Sequence, residues 1–220
     1  MQLSIDLENY ILSHIEDEDP VLAQLNRDTH ARQLYARMCS GHLQGSILTL
    51  LSKLIQPKRI LELGTFTGYS ALCLVKGLRP DGVLHTIEIN DELEDFAAHY
   101  FELARMQDRI VQHIGDASVI LPTFDEQFDL IFMDADKRLY PEHYEMVVPL
   151  VREDGIIIAD NTLWDEKVVS EENSDEQTNG ILCFNDMVKN DARVETYLFP
   201  VRDGLTVLRK KGTGLHSDAL

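Results

Sequence analysis

The strongest constraint on the fold is a series of short apolar runs that alternate with helical stretches from Lys58 onward. The runs are RILEL, GVLHTIEI, RIVQHI, FDLIFMD and GIIIAD. Runs that are apolar through most of their length are typical of strands in a parallel sheet covered on both faces. The intervening segments 69–78, 91–106 and 140–151 have helical spacing. The sequence therefore predicts a doubly wound α/β sheet.

The two ends of the chain depart from this pattern. Residues 3–55 show the apolar spacing of helices, broken by Pro20, Gly41 and Gly45. Near the C-terminus, VETYLFP and LTVLRKK are separated only by VRDG, which leaves no room for a crossover helix. We expect a helical N-terminal segment, and a C-terminal hairpin with one antiparallel strand. Residues 165–179, rich in Asp, Glu, Ser and Asn, predict a mobile surface loop.

Length and charge bound the function. The 220 residues predict a single domain over 1–220, with a helical segment at 1–55 and a sheet core at 58–211. A formal charge of -18 argues against nucleic acid and anionic membranes as partners. The N-terminus lacks the pattern of a signal peptide, and no apolar run has the length of a membrane span. Cys39, Cys73 and Cys183 lack paired spacing and are interpreted as buried thiols, so we expect a cytoplasmic protein.

The end of the first strand predicts a small-molecule site. RILEL runs into a loop with Gly64 and Gly68 and then into a helix, and such a loop lets the backbone approach a ligand. Glu88 ends the next strand, where a carboxylate can accept both hydroxyls of a ribose. Ala117 and Ser118 follow the third strand, within reach of an adenine ring. A simple strand-to-helix turn remains the alternative for the loop. Because the GxGxxG pattern is absent, a nicotinamide cofactor is the weaker choice.

Oxygen-bearing side chains at the ends of two later strands predict a metal site. Asp134 ends FDLIFMD, and Asp160 and Asn161 end GIIIAD. The carboxyl ends of these strands share one crevice, and oxygen ligands suit a hard cation such as Mg²⁺. Strand termination or helix capping is the alternative for each residue alone. Lys137 is a candidate general base, which requires a depressed pKa, or else an exposed loop charge.

Several motifs, taken in order, resemble one family. They are ELGTFTGYSAL, TIEI, GDAS, MDADK, ADNTLW and NDMVKNDARVETYLFPVRDGLTVLRK. Over about residues 36–211, the chain resembles the cation-dependent O-methyltransferases that include caffeoyl-CoA and catechol O-methyltransferases. The resemblance implies a seven-stranded sheet with its last strand antiparallel, S-adenosylmethionine (SAM) in the first crevice, and a divalent cation beside it, Mg²⁺, Ca²⁺ or Mn²⁺.

The resemblance also implies residue roles. It places five residues around the methionine part of the cofactor: Met38, Glu62, Gly64, Phe66 and Ser70. It places Glu88 on the ribose and Ala117 and Ser118 near the adenine. Asp134 falls between the metal and the cofactor, Asp160 and Asn161 on the other metal ligands, and Lys137 on the catalytic base. The N-terminal segment resembles the dimer-forming segment of bacterial and plant relatives, which implies a homodimer.

The acceptor is less constrained. Animal catechol enzymes hold the second hydroxyl with a late carboxylate, for which Glu195 and Asp203 are both candidates here. Trp164 resembles the aromatic wall of the acceptor pocket. Plant enzymes bind coenzyme A through basic residues, whereas the loop after Trp164 is acidic. We therefore predict a metal-dependent O-methyltransferase for a small catechol-like or phenolic acceptor. The alternatives are an NAD-dependent oxidoreductase and a non-catalytic SAM-binding relative.

Overall fold

The computed structural model describes residues 4–170 and 175–212. Within these residues, seven strands form one mixed sheet in the order β3-β2-β1-β4-β5-β7-β6. The strands are β1 (Arg59–Leu63), β2 (Val83–Glu88), β3 (Ile110–Ile114), β4 (Phe128–Met133), β5 (Val151–Asp160), β6 (Val194–Phe199) and β7 (Leu205–Lys210). The sheet is parallel except for β7, which pairs antiparallel with β5 and β6. The predicted mostly parallel sheet and the C-terminal hairpin are confirmed.

Eight α-helices accompany the sheet in the described residues. They are α1 (Ile5–Leu12), α2 (Pro20–Arg32), α3 (Gly41–Ile55), α4 (Tyr69–Leu74), α5 (Glu94–Leu103), α6 (Ala117–Ile120), α7 (Tyr140–Val147) and α8 (Glu176–Asn190). Residues of α2 to α5 join one core cluster, and residues of α6 to α8 join the other. Ile60 and Leu61 are both fully buried but belong to different clusters, because successive side chains of a strand point to opposite faces.

The N-terminal segment is helical as predicted, but one of its expected breaks is wrong. Pro20 and Gly41 each begin a helix, whereas Gly45 lies inside α3. A Cβ atom on Gly45 would lie 2.7 Å from Cε1 of Tyr69 and 2.8 Å from Sγ of Cys73. Gly45 therefore serves the close packing of α3 against α4. A helical pattern cannot distinguish such a packing glycine from one that ends a helix.

Two further expectations need correction. Cys183 is exposed on α8, whereas Cys39 and Cys73 are buried as expected; all three are free thiols. The predicted loop at 165–179 is shorter than expected, since α8 begins at Glu176 and its N-cap Asp175 accepts from the backbone N of Thr178 at 2.7 Å. Residues 171–174 of that loop lie outside the described residues. No helix among residues 4–170 and 175–212 combines the length and apolarity that a bilayer crossing requires.

Candidate active site

The candidate site lies at the carboxyl ends of β1 and β4, where the strand order reverses. From β1 the chain continues to β2 and β3 on one side, and β4 lies on the other side. Open α/β sheets bind ligands in the crevice at such a switch point. The loops that follow these two strands carry Gly64 and Asp134, and the backbone N of Asp134 donates to the carbonyl of Leu63 at 2.8 Å. The topology therefore brings both predicted ends of the site together.

Gly64 allows the two loops to touch. Its φ is +97°, and a Cβ atom there would lie 2.4 Å from the carbonyl oxygen of Asp134. No L side chain fits this position without displacement of the β4 loop. The result is a small pocket whose lining includes most of the predicted methionine-site residues. The lining is Met38, Cys39, Ser40, Gly64, Thr65, Phe66, Thr67, Tyr69, Ser70 and Asp134.

Glu62 lies beneath this pocket and is fully buried. Its Oε2 accepts from the hydroxyl of Thr86 at 2.6 Å, and that hydroxyl is 2.5 Å from the hydroxyl of Thr65. Its Oε1 is buried with no hydrogen-bond partner among the described residues. Burial, together with the Asp134 and Glu88 carboxylates, raises the pKa of Glu62 to about 8. Glu62 thus offers a buried hydrogen-bonding group beside the pocket, although it does not line it.

The ribose and adenine candidates extend along the same edge. Oε2 of Glu88 accepts from the backbone N of Phe66 at 2.7 Å, and Oε1 accepts from the backbone N of Asn90 at 2.9 Å. Ala117 and Ser118 begin α6 after β3, two strands away from β1. Ala117 is buried and Ser118 is exposed. These residues form an edge that leads away from the Gly64 pocket, which is the arrangement an extended nucleoside requires.

The predicted metal ligands lie at the ends of β4 and β5. Asp160 is 4% exposed, and its Oδ1 accepts from the backbone N of Asn161 at 2.8 Å. Burial raises the pKa of both Asp134 and Asp160, and the charge of Asp134 adds to the rise at Asp160. In the described parts of the chain, no three His, Cys, Asp or Glu side chains form a metal cluster. The candidate set therefore consists of two carboxylates with the amide of Asn161 as third ligand, a donor set that suits a hard cation.

Lys137 is buried at this end, not exposed on a loop. Its Nζ donates to Oδ1 of Asp134 at 2.6 Å, to Oη of Tyr140 at 2.9 Å and to the carbonyl of Ala135 at 3.1 Å. Burial by itself lowers the pKa of Lys137, but Asp134, Tyr140 and Asp160 together raise it well above its ordinary value. The sequence predicted a depressed pKa from burial and a neighbouring cation; it does not reveal that two carboxylates and the Tyr140 hydroxyl surround Lys137.

Three residues at the site were not predicted: Gln44, Tyr140 and Arg202. The amide of Gln44 donates to Oδ2 of Asp160 at 2.5 Å, and Nη1 of Arg202 donates to Oε1 of Gln44 at 2.9 Å. Oη of Tyr140 lies 2.8 Å from the carbonyl of Met133 and 3.0 Å from that of Asp160. The available signal for Gln44 was its spacing from Leu48, which puts a polar residue on the buried face of α3.

The two candidates for the late carboxylate, Glu195 and Asp203, lie at opposite ends of the sheet. Glu195 lies at the amino end of β6, away from the crevice, and pairs with Arg209 at 3.0 Å. Asp203 lies in the β6–β7 turn and accepts a hydrogen bond from the backbone N of Asp165. Burial raises the pKa of Asp203, and Asp165 and Asp160 add to this rise. Of the two candidates, Asp203 is therefore the one that lies at the carboxyl end of β5.

The segment after Asn161 has an unusual backbone. Trp164, Asp165 and Glu166 all have positive φ, at 48°, 51° and 62°, and none of them is glycine. Consecutive left-handed residues are costly and persist where the surroundings enforce them, which is frequent at functional sites. The segment from Asp165 to Ser170 contributes to an open cavity of about 480 Å³ next to Trp164. In the described residues, its lining shares no member with that of the Gly64 pocket.

The fold and the site together define the class of protein. A mostly parallel seven-stranded sheet with an antiparallel β7 and a crevice at the switch point is the architecture of a SAM-dependent methyltransferase. The O-methyltransferase family model matches residues 12–211. The chain belongs to this O-methyltransferase family and is a SAM-dependent enzyme.

Individual relatives agree with this assignment. The caffeoyl-CoA O-methyltransferase of Stellaria longipes is 30% identical over 94% of this chain and 91% of its own length. That of Eucalyptus gunnii is 32% identical over 93% and 87%. The O-methyltransferase TomG from Streptomyces achromogenes, solved in complex with SAM, has a TM-score of 0.87 at 30% identity and covers 94% of this chain and 96% of its own. The membership decides against the nicotinamide alternative.

Proposed function

We propose that the chain transfers the methyl group of SAM to a hydroxyl of a small catechol-like or phenolic acceptor, and that it requires a divalent cation. The observation that supports this proposal is the group of Asp134, Asp160, Asn161 and Lys137, in which Asp160 and Lys137 are buried and Asp134 itself lines the Gly64 pocket. One buried and one partly buried carboxylate, both with raised pKa values, and an adjacent amide oxygen fit a hard cation. We favour Mg²⁺; Ca²⁺ and Mn²⁺ use the same oxygen ligands.

The proposed cofactor-binding residues are arranged along the crevice. We assign the methionine part to the pocket of Met38, Gly64, Phe66 and Ser70, with Glu62 beneath it. The carboxylate of Glu88 takes the ribose hydroxyls, since the backbone N–H groups of Phe66 and Asn90 fix its orientation. We assign the adenine to Ala117 and Ser118 at the start of α6. Asp134 borders both the methionine pocket and the metal ligands, so we assign it to both.

Catalysis depends on a deprotonated acceptor hydroxyl. When bound, the cation supplies Lewis acidity that lowers the pKa of a coordinated phenol. Asp134 and Tyr140 hold Nζ of Lys137 at the crevice, and we assign Lys137 as the base that takes the hydroxyl proton as the methyl group is transferred. Its pKa is raised while the carboxylates are its charged partners, so this role requires added positive charge at Asp134 and Asp160 to lower that pKa.

The acceptor is inferred from charge. We assign the open cavity next to Trp164 as the entrance for the acceptor; Asp165 and Glu166 line it, and Lys167 there pairs with Asp175 at 3.1 Å. The chain as a whole carries a formal charge of -18. An anionic coenzyme A thioester meets repulsion at such an entrance, whereas a small neutral phenol does not. We therefore propose a small acceptor, although several relatives are caffeoyl-CoA O-methyltransferases.

The test is transfer of a labelled methyl group from SAM to catechol, caffeic acid, caffeoyl-CoA and simple monophenols, each with Mg²⁺ and with chelator. We expect Mg²⁺-dependent labelling of vicinal diols and loss of labelling in Asp160→Ala. Full activity of Asp160→Ala without added metal would contradict metal dependence. Preferential labelling of caffeoyl-CoA would contradict the small acceptor and leave the metal site intact.

We further propose a cytoplasmic homodimer. Ile5, Leu7 and Tyr10 on α1 are 77%, 46% and 61% exposed, and no residue of this helix is buried. An amphipathic helix that buries nothing in its own chain fits burial against a second copy. Three free thiols are typical of a reducing compartment. Light scattering tests the assembly, and a monomeric mass would contradict it.

A further inference from the structure

The carboxylate of Asp160 is held by a buried neutral amide. Nε2 of Gln44 donates to Oδ2 of Asp160 at 2.5 Å, and Gln44 is 1% exposed. The opposite oxygen, Oδ1, accepts from the backbone N of Asn161. One donor on each oxygen fixes the plane of the carboxylate and leaves lone pairs on both oxygens for a further ligand.

Arg202 in turn orients Gln44. Nη1 of Arg202 donates to Oε1 of Gln44 at 2.9 Å, and it also donates to the carbonyl of Ser40. Because a guanidinium has only donors, the oxygen of the Gln44 amide must face Arg202 and its NH₂ group must face Asp160. The reverse orientation would place the amide oxygen against a carboxylate and the NH₂ group against a cation. Arg202 therefore determines which way the amide of Gln44 points.

A neutral amide is suited to the position beside Asp160. An Arg or Lys side chain in contact with Asp160 would neutralise it and compete with a bound cation for its oxygens. An amide orients the carboxylate and leaves its charge in place. The positive charge of Arg202 stays one residue further back, behind Gln44.

We infer that Gln44 is a positioning residue that aims Asp160 at the divalent cation, and that Arg202 acts through Gln44. This inference rests on the proposed metal site. It also joins the metal ligand to the cofactor pocket, because Ser40, which Arg202 contacts, lines that pocket. Residues that hydrogen-bond to a metal ligand typically affect the affinity for the metal although they do not contact the metal themselves.

The test measures Mn²⁺ binding by electron paramagnetic resonance on the full chain without acceptor. Gln44→Met keeps the length of the side chain and removes both hydrogen bonds. We expect it to weaken Mn²⁺ binding about 10- to 100-fold, the usual loss when such a partner is removed. Thr49→Val is the matched control, since the hydroxyl of Thr49 on the same helix donates to the carbonyl of Cys73 at 3.2 Å, away from the site. It should leave Mn²⁺ affinity unchanged.

The proposed action of Arg202 through Gln44 predicts a second result. If Arg202 acts through Gln44, then Arg202→Met weakens Mn²⁺ binding, and the double variant loses no more than Gln44→Met alone. If the losses of Mn²⁺ affinity in the two single variants multiply in the double variant, Arg202 does not act through Gln44. Unchanged Mn²⁺ affinity in a folded Gln44→Met would overturn the positioning role of Gln44. Asp160→Ala separates this failure from that of the proposed function. If Asp160→Ala loses Mn²⁺ binding and Gln44→Met binds normally, the role of Gln44 is contradicted and the metal site is retained. If the unaltered protein does not bind Mn²⁺, both the metal site and the role of Gln44 are contradicted.

Discussion

The cofactor crevice and the metal end share one edge of the sheet but are built differently. In the crevice, backbone groups predominate: the loop at Gly64 touches the β4 loop directly, and backbone N–H groups hold Glu88. At the metal end, side chains hold side chains, as in the contacts of Asp160 with Gln44 and of Asp134 with Lys137. Backbone shape should therefore decide cofactor binding, and individual side chains should decide catalysis.

The largest expected effect is at the metal end. Lys137→Met removes the proposed base, and we expect kcat to fall about 10³-fold, within the range typical of general base catalysis. SAM affinity by calorimetry should change little, because Lys137 does not line the Gly64 pocket. Lys76→Met, which removes an exposed lysine paired with Asp19, is the control and should keep full activity. A large loss of SAM affinity in Lys137→Met would break the separation of the two ends.

At the crevice, we expect the backbone to matter most. Gly64→Ala places a Cβ atom 2.4 Å from the carbonyl of Asp134 at a φ of +97°. We expect SAM affinity to fall about 100-fold, equivalent to about 3 kcal/mol of strain and displaced contacts. Gly212→Ala is the control, since the nearest atom to its Cβ is 3.6 Å away. Normal SAM binding by Gly64→Ala would show that the crevice does not depend on this backbone contact.

A smaller effect should distinguish the two late carboxylates. Asp203→Asn alters a carboxyl near Asp160, and we expect the KM for the acceptor to rise about tenfold, the value of one charged hydrogen bond. Glu195→Gln changes an ion pair at the far end of β6 and should leave kcat and KM unchanged. Steady-state kinetics with a vicinal diol compares them. The reverse result would move the acceptor site to the opposite edge of the sheet.

The last prediction concerns the pH dependence of stability and not activity. Burial raises the pKa of Glu62 from 4.5 to about 8, so the folded protein keeps a proton that the unfolded chain releases. This contribution to stability is complete below pH 4.5 and is lost as the pH rises to about 8. We expect the Tm of Glu62→Gln, measured without cofactor, to decline less than that of the unaltered protein across this window. Parallel Tm curves would show that Glu62 is ionised in the fold.

The sequence predicted the features that repeat locally and missed those that join distant segments. Apolar runs identified the strands, and their ends located Asp134, Asp160 and the Gly64 loop. The hydrogen bond between Gln44 and Asp160 spans 116 residues, and no local pattern encodes it. The direction of the Lys137 pKa also depended on packing, because Tyr140 and both carboxylates act on it together. Gly45 was misread since only the folded contact with Tyr69 explains it.

The position of β7 has a consequence for biosynthesis. This strand is inserted between β5 and β6, and Leu205 pairs with Asp160 itself. Because chains emerge from the ribosome N-terminus first, β5 remains an open edge until almost all of the sheet has been made. Asp160 therefore receives its strand partner among the last residues of the sheet to be synthesised. A nascent chain that stops before Leu205 lacks the strand partner of Asp160.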